Sequence, residues 1–94
     1  DPNNAHAHNN FGTVLASKGR LDEALRHYAE ALQIDPAYAK AHYNLGNCLM
    51  RQGKLEEAAA HFEAALNLQP DPDTAKLVQQ ALGKLHVRRN NSAP

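Results

Sequence analysis

Apolar and small residues recur along this chain at spacings of three and four. One set is Ala41, Leu45, Cys48 and Leu49, and the next is Leu55, Ala58, Phe62, Ala65 and Leu66. That spacing is the period of an amphipathic helix, not the alternation of a strand. Between the two sets lies Gly53, in "RQGK", where a helix would stop because glycine enters the left-handed cap conformation without steric cost. Acidic Glu56 and Glu57 follow, as suits the exposed N–H groups of a new helix, and Pro70 closes the second one. The pattern predicts two helices joined by a tight turn.

The same pattern occurs a second time. Residues 5–36 laid over residues 39–70 return identical types at fourteen positions, among them Gly12/Gly46, Gly19/Gly53, Ala24/Ala58, His27/His61 and Pro36/Pro70. A 34-residue period marks a structural unit used twice, and it assigns a first unit to residues 5–38 and a second to 39–72. Gly12 and Gly46 fall inside the first helix of each unit, where glycine costs about 1 kcal/mol relative to alanine. Close approach of the second helix is the expected compensation, with Ala24 and Ala58 as the small partners.

The stretch "AHYNLGNCLMRQGKLEEAAAHFEAALNLQP" resembles a tetratricopeptide repeat (TPR), as does "AHNNFGTVLASKGRLDEALRHYAEALQIDP" before it. The resemblance implies an all-α fold, a fragment of a right-handed superhelical solenoid built from two helix-turn-helix repeats and a C-terminal capping helix. His8 and His42 depart from it, standing where the family often carries tryptophan. The capping helix is assigned to residues 73–89, with Asp71 as N-cap, Pro72 entering the helix, and Leu77, Val78, Ala81, Leu82 and Leu85 as its apolar stripe. Residues 1–4 read as the end of a preceding repeat and residues 90–94 as a disordered tail.

Ten basic and ten acidic side chains cancel, which removes any global attraction to nucleic acid or to an anionic membrane. No apolar run has the roughly 18 residues of a membrane span. One cysteine, Cys48, forms no internal disulfide, which fits a reducing compartment such as the cytoplasm or simply an indifferent one. Two serines, Ser17 and Ser92, and no phosphate-binding glycine loop leave nothing for catalysis, so no enzyme activity and no cofactor are expected. No metal site is expected either. His6 and His8 diverge around a helix, and His27 and His61 occupy equivalent places in different units. His8 and His42 are assigned to packing between helices, His27 and His61 to the flanks. The basic "KLHVRR" segment reads as a complement to the helix dipole.

Projected on a helical wheel, the polar side of the second unit's first helix carries Lys40, Tyr43, Asn44, Asn47, Met50 and Arg51. The matching face of the first unit carries His6, Asn9, Asn10, Thr13, Ala16 and Ser17. Stacked repeats turn such faces into one concave groove. It holds no carboxylate, the acids being gathered on the second helices. Side-chain amides of Asn9, Asn10, Asn44 and Asn47 each give and accept a hydrogen bond, which is what an extended peptide backbone requires. Lys40 and Arg51 add positive charge, Tyr43 adds apolar area, and Thr13 completes the lining. Asn10 and Asn44 also resemble the asparagine ladder of O-linked N-acetylglucosamine transferase repeats.

The expected function is therefore a non-catalytic scaffold that binds a protein or extended peptide in this groove. Two alternatives remain open. One is a recognition module within a larger protein-modifying enzyme such as a glycosyltransferase. The other is self-assembly into a homo-oligomer through the exposed face of the N-terminal repeat.

Overall fold

A computed structural model describes residues 3–92 of the chain. It contains five helices: α1 (Ala5–Ser17), α2 (Leu21–Ile34), α3 (Ala39–Arg51), α4 (Leu55–Asn67) and α5 (Pro72–Ser92). No strand occurs among the described residues. α1 packs on α2 and α3 on α4 as two hairpins, α2 also packs on α3, and α5 closes the stack against α4 and α3. Gly19 and Gly53 turn each hairpin at φ 78° and 81°, the left-handed region that the sequence assigned to them.

Each hairpin is closed by a ring lying on a glycine. A Cβ at Gly12 would stand 2.8 Å from Cε1 of Tyr28, and one at Gly46 only 2.6 Å from Cε1 of Phe62. Those distances are far inside van der Waals contact, so no larger residue fits without moving the ring. The close partner of each glycine is therefore aromatic, not Ala24 or Ala58 as the sequence suggested. The two alanines are buried beside it. Physically, the flat ring reaches across the interface to the bare backbone, while alanine is too short to exploit the gap.

α5 begins at Pro72, the residue read from sequence as entering the helix, one before the 73–89 bounds assigned to the capping unit. Asp71 caps it, accepting from the backbone N–H of Thr74 at 3.0 Å and from its hydroxyl at 2.7 Å. These two hydrogen bonds hold the Asp71 carboxyl below its ordinary range. Thr74, Val78 and Ala81 are buried where Ala41, Leu45 and Cys48 are in α3, one residue ahead of a strict 34-residue register. Before α5, Gln69 takes φ 53° with no counterpart in the first unit, which accompanies the shortened connection.

The tail is also shorter than assigned. Residues 90–92 continue α5 as helix, and only residues 93 and 94 of the expected tail, like Asp1 and Pro2 at the other end, lie outside the described residues. Two arginines hold the last turns in place. Arg88 donates to the carbonyl of Met50 at 2.7 Å, and Arg89 pairs with Glu56 at 2.9 Å. At the start, Asn4 caps α1 by accepting from the N–H of Ala7.

Candidate functional site

The first helices and α5 line one face, and three clefts run along it. The first, about 580 Å³, is bounded by His6, Asn10, Tyr38, Lys40, Asp73 and Leu77 among others. The second, about 310 Å³, has Thr13, Ala16, Tyr28, Asn44, Asn47, Cys48, Met50 and Arg51 around it. The third, about 150 Å³, lies between α3 and α5 at Tyr43, Asn47, Met50, Leu77, Gln80, Ala81 and Lys84. All eight residues singled out from sequence border one of these clefts.

Their roles differ once their partners are known. Asn9 was expected on the open groove, yet it is only 4% exposed. Its Oδ1 accepts from Asn44 Nδ2 at 2.8 Å, and its side chain acts on the Tyr38 hydroxyl, opposing the burial that raises the Tyr38 pKa. Asn9 thus lines the first cleft and Asn44 the second, and their hydrogen bond ties α1 to α3. A buried amide needs such partners, because an unpaired one would cost about 1–3 kcal/mol. The wheel placed Asn9 on the groove side correctly but could not show that Tyr38 and Asn44 close over it.

Thr13 is likewise engaged. Its hydroxyl donates to the carbonyl of Asn9 at 3.0 Å and so accepts from Tyr28 O–H at 3.0 Å. Burial raises the Tyr28 pKa above its ordinary value, opposed in part by the Thr13 hydrogen bond, and keeps the phenol protonated. Arg51 donates to the carbonyl of Ala16 at 3.0 Å, at the C-terminal end of α1, as Arg88 does to the equivalent Met50 carbonyl on α3. These guanidinium groups satisfy helix-end carbonyls across the unit boundary. Tyr43 lies against Phe62, with ring centroids 6.1 Å apart.

Asn10, Lys40 and Asn47 border the clefts and hold no hydrogen bond or ion pair among the described residues. They remain available to a ligand.

Several lining residues escaped the sequence reading. His6 Nδ1 meets the Tyr38 hydroxyl at 2.8 Å in the first cleft, and burial raises the Tyr38 pKa. Asp35, Asp71 and Asp73 also border this cleft. The first helices carry no carboxylate, as expected, but the turn after α2 and the start of α5 bring three to the same end. A wheel of α1 and α3 alone contains no information about these segments. The shared "DP" of 35–36 and 71–72 was the available signal.

Cys48 is 2% exposed, and burial pushes its thiol pKa up, leaving it a small buried hydrophobe. Among the described residues no group of three or more His, Cys, Asp or Glu is placed to hold a metal ion. No helix there is long and apolar enough to cross a membrane.

The family model described as tetratricopeptide repeat matches residues 15–85. No curated protein matches the chain. Among solved structures, the type III secretion translocator chaperone SycD of Yersinia enterocolitica superposes with a TM-score of 0.85 at 20% identity, covering 96% of this chain and 65% of that one. The same chaperone in complex with a peptide of the translocator YopD gives 0.84 at 20% identity, over 95% of this chain and 71% of that one. YrrB, described as a TPR protein with an unusual peptide-binding site, gives 0.76 at 32% identity, covering 89% of this chain and 44% of that one. The chain thus spans about two-thirds of SycD and less than half of YrrB. With paired helices, a ring seated on glycine in each hairpin, and a family-model match over most of its length, the chain belongs to the tetratricopeptide-repeat family.

Proposed function

We propose that the chain is a non-catalytic interaction module that holds an extended segment of a partner protein along the three clefts. The carrying observation is the pair of uncommitted amides, Asn10 in the first cleft and Asn47 in the second and third, with Lys40 beside the former. Each amide can donate to and accept from a peptide main chain, and Lys40 supplies a charge for a carboxylate. Two of the structural relatives are described with peptides or a peptide-binding site, which supports the same reading here. In the asparagine ladder of the glycosyltransferase resemblance Asn10 keeps its whole amide for a ligand, whereas Asn44 has one N–H committed to Asn9.

Screening wild type, Asn10→Ala and Asn47→Ala against a peptide array tests this. Each substitution should weaken the captured peptides several-fold, on the order of the 0.5–1.5 kcal/mol of one hydrogen bond. Glu30→Ala, exposed on α2, should leave binding unchanged. Equal binding by all four proteins, or no bound peptide, would remove the groove from consideration.

A second reading rests on a separate observation. Phe11 and Val14 are 51% and 49% exposed on α1, whereas Leu45 and Cys48, their equivalents on α3, are buried beneath α2. Two copies covering each other's α1 would bury this face. Sedimentation over a concentration series should then show a dimer that Phe11→Lys abolishes, and a concentration-independent monomer ends this reading.

A further inference from the structure

Four of the six histidines are arranged in two copies of one device. Nδ1 of His8 lies 3.1 Å from Nδ1 of His27 across the α1–α2 interface, and Nδ1 of His42 lies 3.1 Å from Nδ1 of His61 across α3–α4. In both pairs the ring centroids are 5.4 Å apart and the ring planes 26° and 29° from parallel, so the imidazoles meet edge to edge through Nδ1, and all four residues are half-buried. His27 and His61 are therefore not flank residues, as the sequence suggested. Each is the other half of a cross-hairpin contact.

Two imidazole nitrogens at this separation share one hydrogen: one ring donates and the other accepts. A first added proton can enter at the outer Nε2 of the donor ring, and it leaves the contact intact. A second must go onto the accepting Nδ1. It removes the only acceptor, turns two N–H groups toward each other, and sets two like charges together in a half-buried site. We infer that the paired histidines make each helical hairpin acid-sensitive, holding with zero or one proton per pair and giving way when a second is forced on.

At His61 the surroundings agree. Acting on His61 are His42 from α3 and Glu57 from its own helix; burial first, and His42 second, lower the His61 pKa, while Glu57 opposes them. Around His27 stand His8 from α1 and the edge of the Phe11 ring, with centroids 4.5 Å apart. The carboxylate one turn before His27, Glu23, is held by Arg20 at 2.7 Å. A base whose folded pKa is lowered stabilises the fold fully above its unfolded pKa, about 6.5, and that stability is lost as pH falls below it.

In the unfolded chain each of the four rings takes its own proton near pH 6.5, whereas the geometry of each folded pair has room for one added proton without breaking the Nδ1–Nδ1 contact. Each proton withheld lowers the folded-to-unfolded ratio about tenfold per pH unit, so two pairs give about a hundredfold between roughly pH 6 and pH 5. The Asp71 cap titrates below the ordinary carboxylate range and lies outside this window.

Urea titrations of the whole chain from pH 8 to pH 5 test the inference. The double variant His27→Asn, His61→Asn keeps an amide near each Nδ1 position but cannot take a second proton. It should lose most of the wild-type pH slope, while His86→Asn, exposed on α5, should retain it. Histidine NMR titration of the wild type gives an independent readout that needs no variant to fold. Uptake of one proton per pair with the fold intact supports the inference. Two protons per pair in the folded protein, or an unchanged slope in the double variant, would overturn it.

Discussion

Alanine at Gly46 and alanine at Gly83 should change stability in opposite directions. Both glycines lie inside helices, where alanine is favoured by about 1 kcal/mol on backbone grounds. At Gly83 nothing lies within 4 Å of the added methyl, so that gain should appear in full, as a rise in thermal midpoint of roughly 4–8 °C. At Gly46 the methyl would meet the Phe62 ring at 2.6 Å. Overpacking of this kind costs about 1–3 kcal/mol, which outweighs the gain. Gly46→Leu should be worse still, lowering the midpoint by about 10 °C or more. Thermal unfolding of the three variants decides the matter, and an unchanged midpoint for Gly46→Leu would mean that the helices of the second unit are not held at glycine contact.

Phe62→Ala should cost more than any other single truncation in the chain, about 3–5 kcal/mol. Phe62 is fully buried, shares a core with Leu45, Leu49, Val78 and Leu85, and is the ring that seats α4 on Gly46. Its loss therefore opens a cavity at the point where α3, α4 and α5 meet. In the first unit Tyr28→Phe should be much milder, because the ring that fills the glycine gap is kept and only the hydroxyl contact to Thr13 goes. Since Gly46 and Phe62 touch, their substitutions should not add. Gly46→Ala should cost less in a Phe62→Leu background than in wild type, and additivity within about 0.5 kcal/mol would contradict direct contact. Urea unfolding of the four corners of that cycle gives the coupling.

The core positions were legible because they depend on local periodicity. Ala41, Leu45, Gly46, Cys48 and Leu49 all fell on the apolar arc of the wheel, and all are buried. Hairpin turns were equally legible, since a glycine between two periodic runs has few other uses. The groove was legible only in part. A wheel tells which way Asn9 points, but the side chains that meet it, Tyr38 at the end of its own unit and Asn44 in the next, lie on other segments, and they turn an exposed amide into a buried strut. The histidine pairs were hidden for the same reason: His42 and His61 are 19 residues apart, and no local rule relates the faces of two helices.

From sequence alone came the repeat, the helix-turn-helix unit, the closing helix with its Asp71 cap, and the apolar residues of α3 that face inward, because each is fixed by spacing and by backbone preferences within one unit. Tertiary structure alone decided which amides remain free for a partner, where the three carboxylates gather, which ring fills each glycine gap, and which histidines share a proton. Those outcomes depend on distances of about 3 Å between helices, and such distances are set by how the units pack on one another.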